Sequence, residues 1–166
     1  MRDYSAIYSL PVNPAVYAFY SGGRGQRYVA YVGIAGQLKR RIGQHLIRRD
    51  SSVATGTSAV NLNPDYVDSM SWWEHESFDK TASLKAAEMI AFDILNPALR
   101  SRAGADSAGD SLLSDSQFKR KMEELFKGPP TGTIEFPSLS EIVSRISQIE
   151  DRLKRLESKM EKLKTS

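Results

Sequence analysis

Ala15-Val16-Tyr17-Ala18-Phe19-Tyr20, Ser21-Gly22-Gly23-Arg24-Gly25 and Arg27-Tyr28-Val29-Ala30-Tyr31-Val32-Gly33 follow one another almost without interruption. The outer runs are β-branched and aromatic and the middle is glycine-rich. Together they predict an antiparallel hairpin. Pro11 and Pro14 place the start of the first strand after them. Downstream, Leu38, Ile42 and Leu46 recur at four-residue spacing and predict a helix over roughly Gln37 to Arg49. Arg41 and His45 share a neighbouring face of that helix. A third strand is expected within Tyr66 to Glu74. It carries Trp72 and Trp73, of which at most one points into the core, because adjacent strand residues face opposite ways. A second helix is expected over Ala82 to Leu95, with Leu84, Ala87, Ala91 and Ile94 inward and Pro97 helping to end it. Strands and helices do not alternate strictly. The fold class that fits is α+β, a small antiparallel β-sheet flanked by helices.

Residues 1–102 hold these elements and read as one domain. Within it, Ser51 to Asn63 reads as a long loop of functional interest. Residues 103–138 read as a linker: Ala103 to Ser111 is small and polar, and Gly128-Pro129-Pro130 breaks the chain. A short amphipathic helix is expected between them, capped by Ser114 with Gln117 completing a capping box, and carrying Phe118, Met122, Leu125 and Phe126. Residues 139–166 read as a coiled-coil oligomerisation helix. Leu139, Ile146, Leu153 and Met160 are seven apart, and Ile142, Ile149, Leu156 and Leu163 follow three residues after each. The expected partner is the chain itself, as dimer, trimer or tetramer. An amphipathic helix packed on its own domain is the other reading of the same periodicity.

The 166 residues include no cysteine, which excludes disulfides and thiolate metal sites. No stretch has the length of a membrane span, and the chain opens on no signal-like apolar run, so a cytoplasmic protein with no membrane partner is expected. Net charge is only +3, but its distribution is uneven. From Tyr4 to Arg49 there is no Asp or Glu, while Arg24, Arg27, Lys39, Arg40, Arg41, Arg48 and Arg49 all fall there. A segment of one sign suits a polyanion such as DNA, and it also suits a plain solvated basic face.

The triplet Ala15-Val16-Tyr17, the triplet Tyr31-Val32-Gly33 and the helix bearing Leu38, Arg41 and His45 occur in fixed order, with Tyr17 and Tyr31 fourteen residues apart. Glu88 and Pro97 follow on and after the next helix. This ordered set resembles the GIY-YIG nuclease family over roughly residues 7–102. The resemblance implies a metal-dependent endonuclease that hydrolyses DNA phosphodiester bonds, in the company of restriction, homing and repair incision enzymes. A short domain with its own oligomerisation rod points to a restriction or defence role. The resemblance also implies roles. Glu88 would ligate Mg2+ or Mn2+. Arg41 would hold a phosphate oxygen. Tyr17 and Tyr31 would position or deprotonate the attacking water, and His45 is a second candidate for general base. Arg24, Arg27, Lys39, Arg40, Arg48 and Arg49 are candidate DNA contacts, and one of the two tryptophans is a candidate for base stacking. The sequence departs from the family pattern at Ala15, which replaces a glycine. It departs again at Ile34, where many members are polar, and at Arg100, where an asparagine is usual. The change at Ala15 is small, while those at Ile34 and Arg100 keep open an alternative: a non-catalytic nucleic-acid-binding protein that oligomerises through its coil.

Overall fold

β1 (Ala15–Ser21) lies in the middle of the domain, and nearly every residue in it is buried. A continuous apolar run is what a strand covered on both faces requires. It pairs antiparallel with β2 (Tyr28–Ala35) on one side and with β3 (Ser69–Trp73) on the other. The hairpin is therefore as expected, with a register shift between Phe19 and Tyr20. The computed structural model describes residues 2–22, 26–55, 62–100 and 107–164. The turn residue Arg24 lies outside them.

The two faces of β1 serve two cores. Tyr17 and Phe19 point into one, with Leu38, Ile42 and Leu46 of α1 (Leu38–Leu46) and with Ile7, Val53, Leu62 and Val67. Val16 and Ala18 point into the other, with Leu84, Ala87, Ile90 and Ala91 of α2 (Thr81–Leu95). Of the tryptophan pair, Trp73 is buried in the second core, while Trp72 is half-buried against the first. Asn96 ends α2 in the left-handed conformation at φ 44°, one residue before Pro97. The chain then turns back so that the Ala98 and Leu99 amides donate to the carbonyls of Val29 and Ala30. This covers the outer edge of β2, which would otherwise be open to pairing.

The stretch after residue 102 corrects the sequence reading. It holds α3 (Ser107–Ser114), α4 (Ser116–Lys127) and β4 (Gly132–Glu135), and residues 4–136 form one compact unit. Met122 and Phe126 of α4 are buried in the second core, and the Phe126 ring meets Trp73 edge-on at 5.7 Å. β4 pairs antiparallel with β3, completing a four-stranded sheet of order β2-β1-β3-β4. The helix cap is also one residue later than expected: Asp115, not Ser114, accepts from the Gln117 and Phe118 amides. Phe126→Ala should accordingly destabilise the domain by about 3–5 kcal/mol, the usual cost of emptying a buried aromatic position. Urea unfolding of the full chain measures it, and a loss below about 1 kcal/mol would return α4 to the linker.

The second unit comprises residues 1–3 and 137–166. Its main element is α5 (Leu139–Lys164), one unbroken helix of 26 residues. Ser138 and Glu141 form a capping box at its start: the Ser138 amide donates to Glu141 Oε2 at 2.7 Å and the Glu141 amide to Ser138 Oγ at 3.2 Å. Among the described residues, no helix is long and apolar enough to cross a membrane.

Candidate active site

Gly33 sits opposite Tyr17 in the β1–β2 ladder, with Tyr31 two residues before it. A Cβ at position 33 would lie 2.6 Å from the Tyr17 hydroxyl and 2.8 Å from the Tyr31 ring. Only glycine leaves room for both rings to lie over this point of the sheet. From α1, His45 reaches the same place. Its Nε2 is 2.7 Å from the Tyr17 hydroxyl, and its ring centroid is 6.0 Å from that of Tyr31. The helical spacing of Arg41 and His45 brings Arg41 in one turn earlier, half-buried. Glu88 arrives from α2 and is 95% buried.

Burial and mutual charge shift the titration of these groups. Burial pushes the Glu88 carboxyl up to about 7, and the Arg41 guanidinium pulls the other way. Burial also raises Tyr31 to about 12, assisted by the Glu88 charge and opposed by Arg41 and by a hydrogen bond with Tyr17. Tyr17 is held well above the ordinary tyrosine range, by burial first and then by Tyr31, with Arg41 lowering it through charge and a hydrogen bond. Burial drives His45 down to about 3, with Arg41 adding to the effect. His45 is therefore neutral at physiological pH. It is completely buried, and both ring nitrogens are occupied, Nε2 by Tyr17 and Nδ1 by Ser51 Oγ at 2.7 Å. No nitrogen is left to meet a water directly.

Arg41 also lines an open cleft of about 450 Å3 together with Ile34, Gly36, Gln37, Arg40 and Gln44. The other basic residues are placed differently. Arg27 is hydrogen-bonded to Ser69 and lies over the Tyr20 ring at 4.7 Å. Lys39 donates to the Tyr8 carbonyl at 2.6 Å. Arg48 pairs with Asp50 at 3.3 Å and Arg49 with Asp65 at 2.8 Å. Of the candidate DNA contacts, the structure thus brings Arg40 beside Arg41 and ties Arg48 and Arg49 to acids. Trp72 donates from Nε1 to Glu74 at 3.1 Å. Arg100 braces the end of α2, donating to the Phe92 carbonyl at 3.1 Å and to Asn96 Oδ1 at 3.0 Å.

A single buried carboxylate beside an arginine offers one oxygen donor. Among the described residues no three His, Cys, Asp or Glu side chains gather into a cage. One hard oxygen donor suits Mg2+ or Mn2+, which keep most of their shell as water and substrate oxygens, and does not suit a structural zinc. Glu88 fits the first kind. The residue that sequence reasoning missed is Ser51, which partners His45. Nothing distinguishes it in the sequence from its neighbour Ser52, because its role depends on how the loop after α1 turns back. Comparison of the chain with protein-family models, with curated proteins and with solved structures gives no match.

Proposed function

We propose that the chain is a GIY-YIG-type endonuclease that hydrolyses DNA phosphodiester bonds with Mg2+ or Mn2+. The observation that carries this reading is that Tyr17 and Tyr31 flank Gly33, His45 is hydrogen-bonded to Tyr17, and the Arg41 and Glu88 charges act on both tyrosines, from two strands and two helices. These residues are far apart in the chain, and the resemblance gives each of them a role, His45 as the second candidate for general base.

The chemistry follows from the positions. Arg41 stands where burial meets the cleft, so its planar fork can grip a phosphate oxygen and neutralise charge that grows as the phosphorus is attacked. Tyr17 and Tyr31 are both buried, and in this reading their hydroxyls would orient the attacking water from the floor of the site. His45 supports Tyr17 from below rather than touching the water, since its nitrogens are both engaged. Glu88 would hold the cation, which when bound would supply charge neutralisation at the phosphate and the leaving oxygen. Ionised Glu88 is disfavoured by its burial, so a bound cation would favour the charged carboxylate there. Arg40 extends the basic lining along the cleft.

The test is supercoiled-plasmid nicking with Mg2+ and with EDTA, beside a salt-dependent binding curve. Cation-dependent nicking is the expected result. Salt-sensitive binding with no nicking would replace this reading with the non-catalytic DNA-binding protein.

A further inference from the structure

We propose that α5 pairs in parallel with α5 of a second copy of this chain. The helix is capped at its start and spans about 40 Å at its 26 residues. Leu139, Ile146, Leu153 and Met160 recur every seven residues along it, and each is more than half exposed. Ile149 and Leu156, on the adjoining row, are equally exposed. A narrow stripe of this period is closed by an equal stripe from another helix.

The flanking charges choose the partner and its direction. The positions just before the first row are Ser138 and then Arg145, Arg152 and Lys159, so three of the four are basic; those just after the second row include Glu150 and Glu157. In a parallel pair each first flank faces the second flank of the other helix five residues on. Arg145 then meets the partner's Glu150, and Arg152 meets the partner's Glu157. Only Lys159, opposite the partner's Lys164, is mismatched. An antiparallel pair would set first flank against first flank, basic on basic, and acid on acid. A foreign helix of one charge would match only one side. The complement of α5 is α5.

Sedimentation of the full chain at micromolar concentration should give an oligomer, whose mass counts the strands. Ile149→Asp with Leu153→Asp should give a monomer with unchanged near-ultraviolet circular dichroism. Direction is read separately. The chain has no cysteine, so Ile146→Cys supplies one thiol, and a parallel pair brings two copies of it together across the seam. Self-cross-linking under mild oxidation is expected. A monomeric wild type, an oligomer that survives the double aspartate, or an oligomer whose Ile146→Cys form does not cross-link would each overturn the proposal.

We also infer that Ser51 is a positioning residue that holds His45 in the tautomer protonated at Nε2. Ser51 is buried; its Oγ accepts from the Ala54 amide at 3.2 Å and lies 2.7 Å from His45 Nδ1. Among the described residues, Nδ1 is the acceptor available to its proton. If Nδ1 were the donor instead, the serine would accept twice and leave a buried hydroxyl proton unsatisfied, which is costly. Ser51 therefore donates to Nδ1, and the ring donates from Nε2 to the Tyr17 oxygen. The Tyr17 proton is then turned away from His45.

The kinetic consequence rests on the nuclease reading; the tautomer does not. Long-range proton–nitrogen correlation spectra of the full chain should show His45 protonated at Nε2 alone. Ser51→Ala should release the ring to a mixture of tautomers and slow nicking by on the order of tenfold with DNA affinity kept. Ser51→Thr should restore both. Protonation at Nδ1 in the wild type, or a Ser51→Ala protein that slows with its tautomer unchanged, would overturn the assignment. The expected tautomer in a wild type that nicks no plasmid would instead leave Ser51 in place and remove the nuclease.

Discussion

Glu88→Gln should lose plasmid nicking by on the order of 10³-fold or more, keep DNA affinity, and make the folded chain more stable at pH 8. The first effect follows from removing the charge that holds the cation, whose contribution of several kcal/mol corresponds to several powers of ten. The second holds because the basic lining of the cleft is untouched. The third comes from burial. The Glu88 carboxyl has its midpoint near 7 in the fold and at 4.5 when unperturbed. Below 4.5 it is protonated in both folded and unfolded chains. Between 4.5 and about 7 the unfolded chain ionises it while the fold keeps the proton, so stability declines as pH rises through that window. Above it the fold carries the full cost, about 3 kcal/mol. Glutamine carries none of this, so the variant should gain up to about 3 kcal/mol at pH 8 and nothing at pH 4. Mg2+ should raise the melting temperature of the wild type and leave that of the variant unchanged, because a ligand stabilises only the state that binds it. Full nicking by Glu88→Gln would end the metal assignment. Equal stability of the two proteins at pH 8 would mean that Glu88 is solvated rather than buried.

The hairpin and both first helices were legible because their signals are local. Period-two and period-four spacing around Tyr17 and Leu38 is read without knowing what lies opposite. β4 was not legible for the converse reason. Gly132-Thr133-Ile134-Glu135 is short, sits between Pro130 and Pro137, and is a strand only because β3 offers an edge to pair with. Its glycine is required by tertiary contact, since the Trp72 ring occupies the space where a Cβ would stand. α4 was legible as a helix but not as core, because an amphipathic stripe does not say which surface covers it. The candidate site shows the same division. Helical spacing put Arg41 and His45 on one face, and the fold then divided their environments, burying the histidine fully and leaving the arginine at the cleft. The partner of that histidine is a serine after the helix, and no periodicity marks it. Charge was the least transferable signal. Arg48 and Arg49 belong to the acid-free stretch, yet Asp50 and Asp65 reach them from outside it.

Arg41→Lys should cut turnover by about 10²–10³-fold, the usual loss when an oriented donor to a developing oxyanion is removed, while changing DNA affinity by less than about threefold. The charge is conserved, so the steering of DNA into the cleft survives. What is lost is geometry. The Arg41 charge acts on the Tyr17 hydroxyl while its side chain lines the cleft, and a planar guanidinium offers donors in a fixed fork. A lysine ammonium is a point donor on a flexible stem, and it cannot grip a phosphate by two parallel bonds. Single-turnover nicking at saturating protein separates the two quantities, with affinity read from a binding curve in Ca2+ in place of Mg2+. Normal turnover with weakened binding would reduce Arg41 to a docking residue, and the burden of stabilising the transition state would then pass to Arg40, its neighbour in the same cleft.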